Sequence, residues 1–102
     1  MASSDIYVQV TATSERSNPP KSLVVLVPGK NIEEYKSRMP RKSAADKSIA
    51  KDLADPLATN LFTHRASFGP FRVSYSFYSV PLPEIEGKPP EFEHNGLQAW
   101  IL

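Results

Sequence analysis

Strict alternation near the N-terminus constrains this chain most. Ile6, Val8, Val10 and Ala12 fall on one side of the segment 6–13, and Tyr7, Gln9, Thr11 and Thr13 on the other. Successive side chains leave a pleated strand on opposite faces, so period two in a β-branched run specifies a half-buried strand. The pattern returns at 71–80. Phe71, Val73, Tyr75 and Phe77 share one face there, and Arg72, Ser74 and Ser76 the other, until Tyr78 and Val80 restore apolar character to it.

The remaining strand signals differ in kind. Ser22-Leu23-Val24-Val25-Leu26-Val27 is apolar without alternation and is stopped by Pro28-Gly29. A short apolar run between breakers fits a strand buried on both faces, near the centre of its sheet. The Ser, Asn and two prolines of 14–20 read as a loop. Gly96 leads into Leu97-Gln98-Ala99-Trp100-Ile101-Leu102, a final strand. The segment 81–95 carries four of the chain's 10 prolines and four glutamates, and is expected to be an extended, polyproline-like connection.

Two helices are expected between the strand pairs. Asn31 and Glu34 form a capping-box pattern, Ile32, Tyr35 and Met39 share a helical face, and Pro40 ends the element. Ser43 and Asp46 repeat the cap signal, and Ile49, Leu53, Leu57 and Leu61 recur every four residues. Pro56 interrupts that stripe, which predicts a kink or two pieces, 44–54 and 56–62. The order β-β-α-α-β-β indicates one α+β domain over 1–102, with helices on one face of a small, mostly antiparallel sheet. No repeat is visible at periods of about 20 residues or more.

Composition bounds the function. With 102 residues, 40% hydrophobic and 23% charged, the chain is long enough to bury a core without staples. It has no cysteine, which excludes disulfides, thiol catalysis and thiolate metal sites. No stretch approaches the roughly 18 apolar residues of a membrane span, and Met1-Ala2-Ser3-Ser4-Asp5 does not resemble a secretory leader. A cytoplasmic protein without a membrane partner is the expectation.

A net charge of +1 conceals two opposed segments. Lys36, Arg38, Arg41, Lys42, Lys47 and Lys51 against Asp46 leave 36–51 at +5, and Glu84, Glu86, Glu91 and Glu93 against Lys88 leave 81–95 at −3. The six cations define an alternative reading as a nucleic-acid-binding protein, with Tyr7, Tyr75 and Tyr78 as stacking aromatics. Against it, the lysines also fit a solvated helix face, and no RNA-recognition, helix-turn-helix or zinc-knuckle signature accompanies them.

Catalytic and metal constellations are missing from the pattern. His64 and His94 have no second histidine at helical metal spacing, and Glu91, Glu93 and His94 lie among prolines rather than in a rigid shell. There is no Gly-x-Ser-x-Gly elbow, Pro28-Gly29-Lys30 lacks the rest of a phosphate loop, and Asp5, Asp46, Asp52 and Asp55 read as helix-start or helix-face residues. No enzyme activity, cofactor or metal is therefore expected. What remains is adhesive surface. The C-terminal strand ends in Trp100-Ile101-Leu102 without a charged residue to guard its edge. The leading expectation is a small non-enzymatic interaction module, an adaptor, inhibitor or assembly subunit, that binds a protein or a second copy of itself. Tyr7, Arg72, Tyr78, Trp100 and Leu102 are the expected contact residues.

Overall fold

The alternating segments pair with one another. The computed structural model describes residues 4–14, 17–38, 45–63 and 72–102. It contains β1 (Ile6–Ser14), β2 (Ser17–Val27), α1 (Gly29–Arg38), α2 (Asp46–Thr63), β3 (Arg72–Tyr78), β4 (Phe92–His94) and β5 (Leu97–Ile101). The five strands form one sheet of order β3-β1-β2-β5-β4, antiparallel at every junction. The class is α+β as expected, with one more strand than expected because β4 lies within the proline-rich connection.

Strand β2 is central, with β1 on one side and β5 on the other, and Leu23, Val24, Val25 and Val27 are fully buried. Its first residues replace the expected loop: β2 runs back through Pro19 and Pro20, opposite a register shift between Ala12 and Ser14 of β1. The pairing with β5 begins only at Leu23. Among the described residues the prolines therefore have β1 alone beside them, where a missing N–H breaks no second ladder.

Helices cover one face of the sheet. Val8, Val10, Ala12, Leu23, Val25, Val27, Leu97 and Ala99 meet Ile32 of α1 and Ile49, Ala50, Ala54, Leu57 and Ala58 of α2. Two adjacent stripes at four-residue spacing, one of large side chains and one of alanines, give α2 a broad apolar face. Pro56 sits exposed within α2, which is one helix rather than two pieces. Its lost hydrogen bond, a penalty of about 3 kcal/mol in a helix interior, is offset by the buried stripes on either side of it.

Capping also differs from the pattern. Helix α1 starts at Gly29, two residues before Asn31, with the Pro28 carbonyl accepting from the Asn31 and Ile32 amides at 3.0 and 3.3 Å. The Gly29 amide donates to Asp5 Oδ1 at 2.8 Å, so a residue preceding β1 caps the helix that follows β2. Met39, Pro40 and Ser43 lie outside the described residues.

The opposite face has its own small core. Val24 and Trp100 point there with the half-buried Tyr7 and Leu26, and Leu82 and Ile85 close over them. The expected extended connection is thus a packed turn. Leu82 O accepts from the Ile85 and Glu86 amides, Ile85 O accepts from Lys88, and Lys88 O accepts the Trp100 indole N–H at 3.1 Å. Asn95 and Gly96, with φ of 52° and 78°, then turn β4 into β5. Consecutive positive φ values belong to the type I′ hairpin turn, for which Asn-Gly is the favoured pair.

Candidate functional site

The sheet has two outer edges, and they are unlike. Strand β4 has three residues, includes Glu93 and follows Pro89-Pro90. Short length, charge and nearby proline are the usual protections of an edge against pairing with another chain. Strand β3 has seven residues, and the segment from Val73 through its end to Val80 holds neither a charge nor a proline. Among the described residues nothing pairs with its outer side. Val73, Tyr78 and Val80 are 46%, 39% and 64% exposed.

Two faces flank that edge. Pairing with β1 sets Tyr7 opposite Tyr78, Gln9 opposite Ser76, Val10 opposite Tyr75 and Thr11 opposite Ser74. Tyr75 and Phe77 therefore lie on the helix side, half-buried against the main core. The Tyr75 hydroxyl donates to Asp55 Oδ1 at 2.7 Å. Burial, and then this bond, push the Tyr75 pKa up to about 12. Lys51 Nζ lies 4.9 Å from the Tyr75 ring centre and 4.0 Å from Asp55 Oδ2, and Lys47 Nζ lies 6.0 Å from the centre of the Phe77 ring. Ser74, Ser76 and Tyr78 are exposed on the other side, where Tyr78 donates to Gln9 Oε1 at 3.3 Å and the Thr11 and Ser22 hydroxyls bond at 3.0 Å.

Three of the expected contact residues, Tyr78, Tyr7 and Trp100, follow one another across the face of the sheet away from the helices. Tyr7 and Tyr78 are cross-strand neighbours, and Arg72 begins the same edge strand. Trp100 and Leu102 belong to the other half of the sheet. Trp100 is only 7% exposed, its ring 6.4 Å from that of Tyr7 under the 81–91 turn, and the Leu102 amide donates to Ser22 O. The C-terminal strand is not an edge: β2 and β4 flank it. An open depression of about 330 Å³ lies beside it, lined by Glu84, Ile85, Lys88, Glu91, Trp100, Ile101 and Leu102.

The basic segment is similarly dispersed. Lys36 is ion-paired with Asp46, a contact that raises its pKa, and Lys47 and Lys51 lie over β3 rings as described. Arg38 is exposed at the end of α1, and Arg41 and Lys42 lie outside the described residues. The three candidate stacking tyrosines do not share a face, since Tyr75 is on the helix side and Tyr7 and Tyr78 are opposite.

Glu91, Glu93 and His94 are exposed, and His64 is outside the described residues. Among the described residues no three His, Cys, Asp or Glu side chains cluster to hold a metal ion, and no helix is long and apolar enough to cross a membrane. The pattern did hold the signal for the β3 edge. The charge that is missing at the C-terminus is missing from 73–80 as well, and that segment also has no proline. In comparisons with known proteins, no family model, curated protein or solved structure matches this chain.

Proposed function

We propose that this protein is a small non-enzymatic interaction module of the cytoplasm that binds protein by adding an extended strand to the outer edge of β3. The observation that carries this reading is the contrast between the two edges, one short and guarded, the other seven residues long without charge or proline after Arg72. In strand addition the main chain supplies the binding energy, and the alternate side chains beside it supply specificity. The helix side of the edge offers Val73, Tyr75 and Phe77 to apolar or aromatic residues, and the other side offers Ser74, Ser76 and Tyr78. The Tyr75–Asp55 bond ties the strand to α2, which keeps the edge in place before a partner arrives.

A displayed library of extended heptapeptides tests the reading, with binding mapped by amide shift changes. Selected peptides are expected to alternate apolar with polar residues and to perturb 72–80. Selections that perturb only other residues contradict it. So does an oligonucleotide that binds through 36–51 with a steep salt dependence while the peptides do not bind.

A further inference from the structure

We infer that the strand accepted by β3 is β3 of a second copy of this chain, paired antiparallel about a twofold axis through Tyr75. This inference rests on the strand-addition reading above and names its occupant.

Directly opposed residues of an antiparallel pair lie on the same face, so a twofold pairing of β3 with itself must centre on a residue, not between two. Centring on Ser74 or Ser76 leaves two of the seven strand residues without a partner inside the strand. Centring on Tyr75 pairs all seven. The sequence Arg72-Val73-Ser74-Tyr75-Ser76-Phe77-Tyr78 is then nearly a palindrome in chemical character. On the helix side Val73 stands opposite Phe77 of the second copy, and Tyr75 opposite Tyr75. On the other side Ser74 stands opposite Ser76, and the backbone register sets Arg72 opposite Tyr78. On the helix side apolar or aromatic residues meet, and on the other side the two serines match hydroxyl with hydroxyl. These are the cross-strand combinations that stabilise sheets. A twofold interface requires such self-complementarity, since residue i meets j and j meets i.

Charge does not oppose the pairing along the strand, because β3 has no acid and its single cation lies at one end. On the helix side, Lys51 has Asp55 beside it. The 46% exposure of Val73 falls where the second copy's Phe77 would cover it. The result is a ten-stranded sheet continuous across two copies. A pairing of seven residues per chain sits at the small end of specific interfaces, which places the dimer among weak, concentration-dependent ones.

Charge variants at the exposed Ser74 and Ser76 test the register by sedimentation equilibrium over micromolar to millimolar concentration. Wild type is expected to shift reversibly from monomer to dimer. The variants S74K/S76K and S74E/S76E each place like charges opposite one another, and each is expected to weaken self-association more than about tenfold. Mixed in equal amounts, they place Lys opposite Glu at all four positions and are expected to recover the dimer, which also shows that both variants are folded. A wild type that stays monomeric throughout overturns the proposal. So do charge variants that dimerise as well as wild type, or a mixture that stays monomeric. Monomeric wild type together with peptides mapping to 72–80 removes the second copy as occupant and leaves strand addition by another protein. Failure of the peptides as well removes both.

Discussion

The Tyr75 hydroxyl donates a 2.7 Å hydrogen bond to Asp55 Oδ1, joining the edge strand β3 to the long helix. An edge strand held by β1 alone would fray more readily, so this bond helps define the surface on which binding depends. Tyr75→Phe is expected to destabilise the fold by about 1–2 kcal/mol near neutral pH, since a bond to a charged acceptor is lost. The raised pKa adds a pH signature. The folded state keeps the phenol proton up to about pH 12, whereas an unfolded chain releases it from pH 10.0 upward. The stabilisation is thus fully present below about pH 10 and lost as pH rises through about 12. Urea melts across that window should show wild type and Tyr75→Phe converging. An equal gap at all pH values contradicts the assignment.

The turn over Trp100 behaves as core. Leu82 and Ile85 are 8% and 3% exposed and pack on Val24 and Trp100. Ile85→Ala is expected to cost about 2–4 kcal/mol. The chain has one tryptophan, so its fluorescence reports the site directly. Ile85→Ala should shift the emission to the red as water reaches the indole. Unchanged emission and stability would show that the 81–91 turn does not cover Trp100.

Much of this fold is legible in the residues, and its departures have physical reasons. The alternation of Ile6, Val8, Val10 and Ala12 and the double burial at 23–27 follow from local pattern, because each strand's faces are settled by what its own side chains tolerate. Strand order is not local. Trp100, Ile101 and Leu102 carry an unguarded apolar pattern whether their strand is an edge or interior. The structure places that strand between β2 and β4, leaving β3 and β4 at the two edges. The prolines of 14–20 suggested a loop, but prolines are compatible with a strand end that has one neighbour. Leu82 and Ile85 were obscured by the prolines and glutamates around them, although spacing by three is what one helical turn needs to place both on Trp100. Asn95-Gly96 was a readable hairpin signal.

Asp5 links the chain start to the first helix. Its carboxylate accepts from the Gly29 amide, one of the helix donors without a partner in the helix itself. Asp5→Ala is expected to lower stability by about 1 kcal/mol, and amide exchange should quicken at Gly29 before the rest of α1. Exchange unchanged at Gly29 contradicts the cap.

Gly96 has a φ of 78°, a left-handed conformation, with open space where a side chain would go. Gly96→Ala therefore meets backbone strain without a clash, and about 1 kcal/mol of destabilisation is expected. The loss should appear in β4 and β5, read as faster exchange at 92–101. Retention of wild-type stability would contradict the turn assignment.

Strand addition requires that β3 present an unpaired backbone edge, and amide hydrogen exchange of dilute protein reads that edge residue by residue. In an antiparallel edge strand, alternate amides bond to the inner neighbour and the others face outward. Slow and fast exchange are expected to alternate along 72–78 in dilute wild type, with the fast set slowing as concentration rises. Uniform slow exchange along β3 at the lowest concentration would contradict strand addition, because the edge would then already be covered.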